Sequence, residues 1–140
     1  MAQARVVEVI NAPVDRVWQH LGNFAGIRPG PGIDAVEYTG EGVGMTRNMR
    51  LSTGTVIEQL THHDPAKKTF SYAIINEDSP LPFKNYSATV QLLANDDDST
   101  TVEWTGTFEP EGIEEAKAIR FATGIYTSAI KNARAELKAD

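Results

Sequence analysis

The chain has 140 residues, with 13 Lys plus Arg against 19 Asp plus Glu for a formal net charge of -6, and it has no cysteine. A chain of this size is one compact domain, residues 1–140, its charge argues against a surface built to hold polyphosphate, and the absence of thiols excludes disulfides, thiolate zinc sites and a cysteine nucleophile. No nucleic acid is expected as a partner. No apolar run approaches the ~18 to 20 residues of a membrane span, and the N-terminus lacks the basic start and apolar stretch of a signal peptide, so a soluble, cytoplasmic protein is expected.

Val6, Val7, Val9 and Ile10 form a first β-branched run that ends at Asn11-Ala12-Pro13, where proline opens a helix. Val14, Val17, Trp18 and Leu21 then fall on one helical stripe, so a short helix spans Pro13 to Leu21. Gly22 to Gly32, with Arg28-Pro29-Gly30-Pro31-Gly32, forbids a long helix and leaves room for one more helical turn. Six strands follow: Ile33–Tyr38, Met45–Leu51, Thr55–His62, Thr69–Ile75, Asn85–Leu93 and Thr101–Phe108. Their short links imply an antiparallel meander, and the alternation of Tyr86, Ala88, Val90 and Leu92 with Ser87, Thr89 and Gln91 gives the sheet one dry face. From about Ile113 to Lys138 the period changes to that of a long helix. Ile119, Ala122, Tyr126, Ile130, Ala133 and Leu137 share its main stripe. Phe121, Ile125 and Ala129 widen that stripe, as expected if the helix lies in the concavity of a curved sheet and is wrapped on two sides.

This order of elements is an α+β helix-grip fold, a seven-stranded antiparallel sheet wrapped around a long C-terminal helix, with two short helices after strand one. Asn11 to Trp18 with Leu21 and Phe24, Gly44 to Arg47, Val56 to Leu60 with Asp64, Pro80 to Tyr86, and Val102 to Trp104 with Phe108 form a set of segments. Through them the chain resembles the START-like (SRPBCC) superfamily, and within it the polyketide cyclase/dehydrase and lipid-transport group. Plant abscisic-acid receptors are more distantly similar through Thr46-Arg47, Glu58 with Leu60, and Asn85-Tyr86. Their longer lid loop and ligand-pairing lysine have no counterpart here. The resemblance implies a deep apolar cavity between sheet and helix that holds a hydrophobic small molecule, with no obligatory cofactor and no single activity.

Glu58 is the most informative single residue. A two-residue turn at Thr53-Gly54 would pair Met49 with Glu58, placing Glu58 on the cavity face beside Met49, Leu51 and Leu60, with Arg47 diagonally across the hairpin. A buried carboxylate must be paired, hydrogen-bonded or protonated, so Glu58 is either a polar ligand anchor or the partner of Arg47. Tyr86 is a candidate phenolic partner. By resemblance to the receptors, Leu81, Pro82 and Phe83 form part of a pocket mouth, and a rigid apolar loop is the alternative. Phe121, Ile125 and Ala129 would face Tyr72, Ile74, Met49, Leu51 and Trp104 across the cavity, which Trp104 would itself fill in part. His62-His63-Asp64 is not a metal site, because neighbouring strand residues point to opposite faces. Asn95 to Ser99 is a solvated hairpin and lacks the spacing of a calcium loop. Three functions fit: a carrier of a hydrophobic or aromatic molecule, a polyketide-cyclase-like enzyme using Glu58 or Tyr86 as acid or base, and an interaction module with a collapsed cavity. No catalytic residue is assigned, and oligomeric state is not encoded.

Overall fold

The computed structural model describes residues 1–139 and contains β1 (Ala2–Ile10), α1 (Val14–Leu21), β2 (Ala35–Thr39), β3 (Thr46–Leu51), β4 (Gly54–Asp64), β5 (Thr69–Ile74), β6 (Phe83–Ala94), β7 (Thr100–Pro110) and α2 (Glu115–Leu137). A single 3-10 turn, Phe24–Gly26, stands for the second short helix. The strands form one antiparallel sheet in the order β1-β7-β6-β5-β4-β3-β2, which is the helix-grip arrangement.

Period-two alternation sets which side chains are dry. Val102, Trp104 and Phe108 on β7 and Ala88, Val90 and Leu92 on β6 are all buried on the concave face. Strand ends run further than the apolar pattern suggests. β1 begins at Ala2 rather than Val6, because its whole length pairs with β7, from Ala2 opposite Phe108 to Ile10 opposite Thr100. Pairing thus overrides the weak strand preference of alanine. Ile33 lies outside β2 and instead bridges Gly30.

The long helix leans to one side of the concavity. It packs on β1 and β7, and alanines on both partners (Ala2 and Ala4 in the strand, Ala118 and Ala122 in the helix) are fully or almost fully buried and permit close approach. Arg134 fixes the contact by pairing with Glu8 at 2.9 Å and donating to the Val9 carbonyl at 2.7 Å. The expectation that α2 is wrapped on two sides is therefore corrected: the flank bearing Phe121 and Ile125 is left 46% and 39% exposed. Placement follows the small residues, which let the helix settle nearest β1.

Candidate functional site

The β3–β4 hairpin differs from expectation by two residues. Leu51 pairs with Gly54, so the turn is Ser52-Thr53, Met49 faces Val56, and Arg47 lies directly opposite Glu58. An even shift leaves every side chain on its expected face. Arg47 and Glu58 are both 7% exposed, with Nε donating to Oε1 at 2.7 Å. Arg47 also donates from Nη1 to the Phe24 carbonyl at 3.0 Å, and its guanidinium lies 4.0 Å from the centre of the Phe24 ring. The 3-10 turn thereby covers the pair. These two charges neutralise each other inside the protein, which is how a buried carboxylate is made tolerable.

A second buried polar cluster lies further along the same face. Trp104 Nε1 donates to the Tyr72 hydroxyl at 3.2 Å, the Tyr72 and Tyr86 hydroxyls are 3.3 Å apart, and the Tyr86 and Tyr126 hydroxyls are 2.5 Å apart. Three elements supply this chain of phenols. A one-residue irregularity between Lys84 and Ser87, with Asn85 at φ 53, turns both Phe83 and Tyr86 inward from β6. Tyr126 reaches in from α2 and stacks on Trp104 with ring centres 5.0 Å apart. Its hydroxyl occupies the place a side chain at position 106 would take, since a Cβ on Gly106 would lie 2.0 Å from that oxygen. A glycine in mid-strand here marks a close approach. Burial, the largest cause, pushes all three phenols above their ordinary range, Tyr126 to about 12 and Tyr72 and Tyr86 further, with the Glu58 carboxylate adding to the rise at Tyr72. They are held as neutral hydrogen-bonding groups.

Trp104 and Tyr126 stack in the space beneath α2, where a cavity was expected. Open volume lies to one side instead. β5 and β6 pair only as far as Ala73 opposite Ser87, and beyond that point a pocket of about 500 Å³ opens between them. Ile74, Ile75, Phe83 and Tyr86 line it together with Asn76, Glu77, Lys84, Asn85 and Glu111. Asn76 holds the departing β5 end against β4, accepting from the Ile57 N–H at 2.9 Å and donating to the Thr55 carbonyl at 2.7 Å.

The thirteen residues predicted to line a site fall into three groups. Ile74, Phe83 and Tyr86 border the pocket. Met49, Glu58, Tyr72 and Trp104 are buried in packed surroundings, and Leu51, Leu81, Pro82 and Ala129 are half-buried, with Leu81 and Ala129 against the core. Phe121 and Ile125 are exposed, though the Phe121 ring meets that of Phe83 edge-on at 5.9 Å. Sequence reasoning missed Phe24 over the ion pair, and Tyr126 with Gly106. The glycine between Trp104 and Phe108 was the available signal. His63 lies beside Trp18, with ring centres 5.4 Å apart and planes tilted by 31°, while His62 pairs with Ser71 on the opposite face. Among the described residues no group of three or more potential ligands gathers around a common metal position, and no helix is long and apolar enough to cross a membrane.

The family model described as polyketide cyclase / dehydrase and lipid transport matches residues 1–138. Among solved structures, the chain is similar to the protein XoxI from Bacillus cereus, with 29% identity over 97% of this chain and 95% of that one and a TM-score of 0.83. An uncharacterised protein from Bacillus thuringiensis is similar at 28% identity, with 96% and 98% covered and a TM-score of 0.82. A protein from Nitrosospira multiformis follows at 25% identity, with 96% and 94% covered and a TM-score of 0.74. No curated protein matches.

Proposed function

The chain belongs to the polyketide cyclase/dehydrase and lipid-transport family, and from that premise we propose that it binds or carries a hydrophobic small molecule in the pocket between the ends of β5 and β6. The observation that carries this reading is apolar surface left uncovered where the pocket opens. Ile75, on its wall, is 49% exposed, and Phe121, whose ring meets that of the pocket-lining Phe83 at 5.9 Å, is 46% exposed. A volume of about 500 Å³ lies within the range of small-molecule sites.

Two observations weigh against the acid/base alternative. Glu58 is already engaged by Arg47 at 2.7 Å, and burial raises Tyr86, so its phenol gives up its proton poorly and is not present as a phenolate base. A carrier needs neither group to change protonation state. Native mass spectrometry of freshly purified protein tests the proposal, together with titration by N-phenyl-1-naphthylamine. A retained apolar molecule, or saturable probe fluorescence displaced by apolar competitors, is the expected result. A bare mass and no saturable probe binding would reject it.

A further inference from the structure

The end of β5 is held by a side chain where a strand is ordinarily held by its main chain. β4 and β5 pair with Glu58 opposite Ile74, and continuing that register sets Ile57 opposite Ile75 and Thr55 opposite Glu77. The Ile75 N–H keeps to the ladder, donating to the Ile57 carbonyl at 2.9 Å. A regular antiparallel ladder would return that bond from the Ile57 N–H to the Ile75 carbonyl, and its next rung would join the Glu77 N–H to the Thr55 carbonyl. Asn76 makes both bonds instead. Its Oδ1 accepts from the Ile57 N–H at 2.9 Å, and its Nδ2 donates to the Thr55 carbonyl at 2.7 Å. One amide, with an acceptor and a donor on the same carbon, thus stands in for the carbonyl of one residue and the N–H of another. The main chain from Ile75 to Glu77 is free to turn away from β4 while staying moored to it. Nδ2 also donates to Asp78 Oδ1 at 2.8 Å, which ties the same side chain to the loop that follows.

The two walls of the pocket differ in what secures them. On the β6 side Lys84 pairs with Glu109 and Phe83 with Pro110, the Asn85 side chain donates to Glu109 Oε2 at 3.1 Å, and the Glu111 N–H donates to the Pro82 carbonyl at 3.0 Å. On the β5 side, among the described residues, the hydrogen bonds of Asn76 are the only ones that tie the segment 76–79 to β4. Asn76 and Glu77 line the pocket, so its wall beyond Ile75 depends on one side chain.

We propose that Asn76 is a positioning residue for ligand binding: its amide sets the place of the β5 wall, and the pocket admits a ligand only while that amide is bonded to β4. This rests on the binding reading above and adds to it the residue on which the shape of the pocket depends. Thermodynamic linkage then requires the reverse as well, that a bound ligand strengthens the hold of Asn76 on β4.

The test measures the affinity of N-phenyl-1-naphthylamine for the wild type, Asn76→Ala and Ser79→Ala, with urea midpoints to establish that each is folded. Ser79→Ala removes the acceptor of the Leu81 N–H, a bond within the same loop that does not reach β4. Asn76→Ala is expected to weaken probe binding about tenfold, the effect of losing one to two net hydrogen bonds from the binding-competent state. Ser79→Ala is expected to leave it unchanged. Amide hydrogen exchange on the wild type needs no variant, so it decides alone if Asn76→Ala does not fold. Saturating probe should slow exchange at Ile57, whose N–H is held by Asn76, several-fold more than at Gln59, which lies opposite Ala73 in the regular ladder. Undiminished affinity in folded Asn76→Ala, an equal fall in Ser79→Ala, or equal slowing at Ile57 and Gln59 would overturn the role of Asn76 while the binding reading stands. Failure of the probe to bind the wild type would overturn both.

Discussion

The concave face carries two buried polar clusters that satisfy themselves in opposite ways. Arg47 and Glu58 face each other across β3 and β4, cancel in charge, and are sealed by Phe24. Tyr72, Tyr86, Tyr126 and Trp104 carry no charge and are linked through their hydroxyls and the indole N–H, and Tyr86 among them borders open volume. The first cluster is closed and joins neighbouring elements, while the second is open on one side and suited to a guest.

The largest effect is expected from breaking the closed cluster. Arg47→Met or Glu58→Leu strands a charge that is 7% exposed in the wild type, and each should cost about 3 to 5 kcal/mol in urea unfolding. The double variant should recover most of that loss, because both charges leave together. Probe affinity in the folded fraction should stay the same. Weaker probe binding by Glu58→Gln at undiminished stability would instead make Glu58 a ligand anchor.

The open cluster should respond to crowding. Gly106→Ala drives a Cβ to 2.0 Å from the Tyr126 hydroxyl oxygen, so the phenol must leave its place, at a cost of about 1 to 3 kcal/mol. Adding Tyr126→Phe removes the colliding oxygen and should restore part of the stability, a coupling readable in a double-mutant cycle. Additive losses would mean that the oxygen is not what the methyl meets.

Alkaline pH separates the clusters without mutation. Folding raises the Tyr126 phenol from 10.0 to about 12, chiefly by burial, and raises Tyr72 and Tyr86 as well. The unfolded chain loses these protons first. The stability they contribute is therefore fully present below pH 10 and is lost as pH rises toward and through 12. Urea midpoints measured upward from pH 9 should begin to fall near pH 10, and Tyr126→Phe should make the fall shallower. A midpoint flat to pH 12 would mean that these phenols ionise freely in the folded protein.

Much of this was legible in the sequence, for reasons that also mark where legibility ends. Faces were readable because a strand has period two, and the hairpin register was missed by two residues without moving Glu58 off the dry face. Arg47 and Glu58 could be named as partners because both lie in one hairpin. The phenol chain could not be assembled, because its hydroxyls come from β5, β6 and α2 and meet only through tertiary packing. Helical periodicity identifies the apolar flank that bears Phe121, and only the family resemblance turns that flank toward a cavity. Which strands α2 leans on depends instead on alanines such as Ala4 and Ala122, whose small size has no periodic signature.

The smallest effect on stability and the most specific effect on binding are expected at Phe121. Its ring is 46% exposed and meets Phe83 at 5.9 Å, and Phe83 stacks on Tyr86 at 5.1 Å. Three rings thus lead from the surface of α2 to the open cluster. Phe121→Arg removes little buried area, so stability should stay within about 0.5 kcal/mol of the wild type. The same change places a hydrated charge beside the apolar wall of the pocket, so affinity for N-phenyl-1-naphthylamine should fall several-fold. Lys117→Ala, one turn earlier on α2 and exposed, controls for a change of charge on the helix and should leave both quantities alone. Equal probe affinity in the two folded variants would detach the rings from the binding surface and leave the pocket between β5 and β6 to be reached from the other side of the sheet.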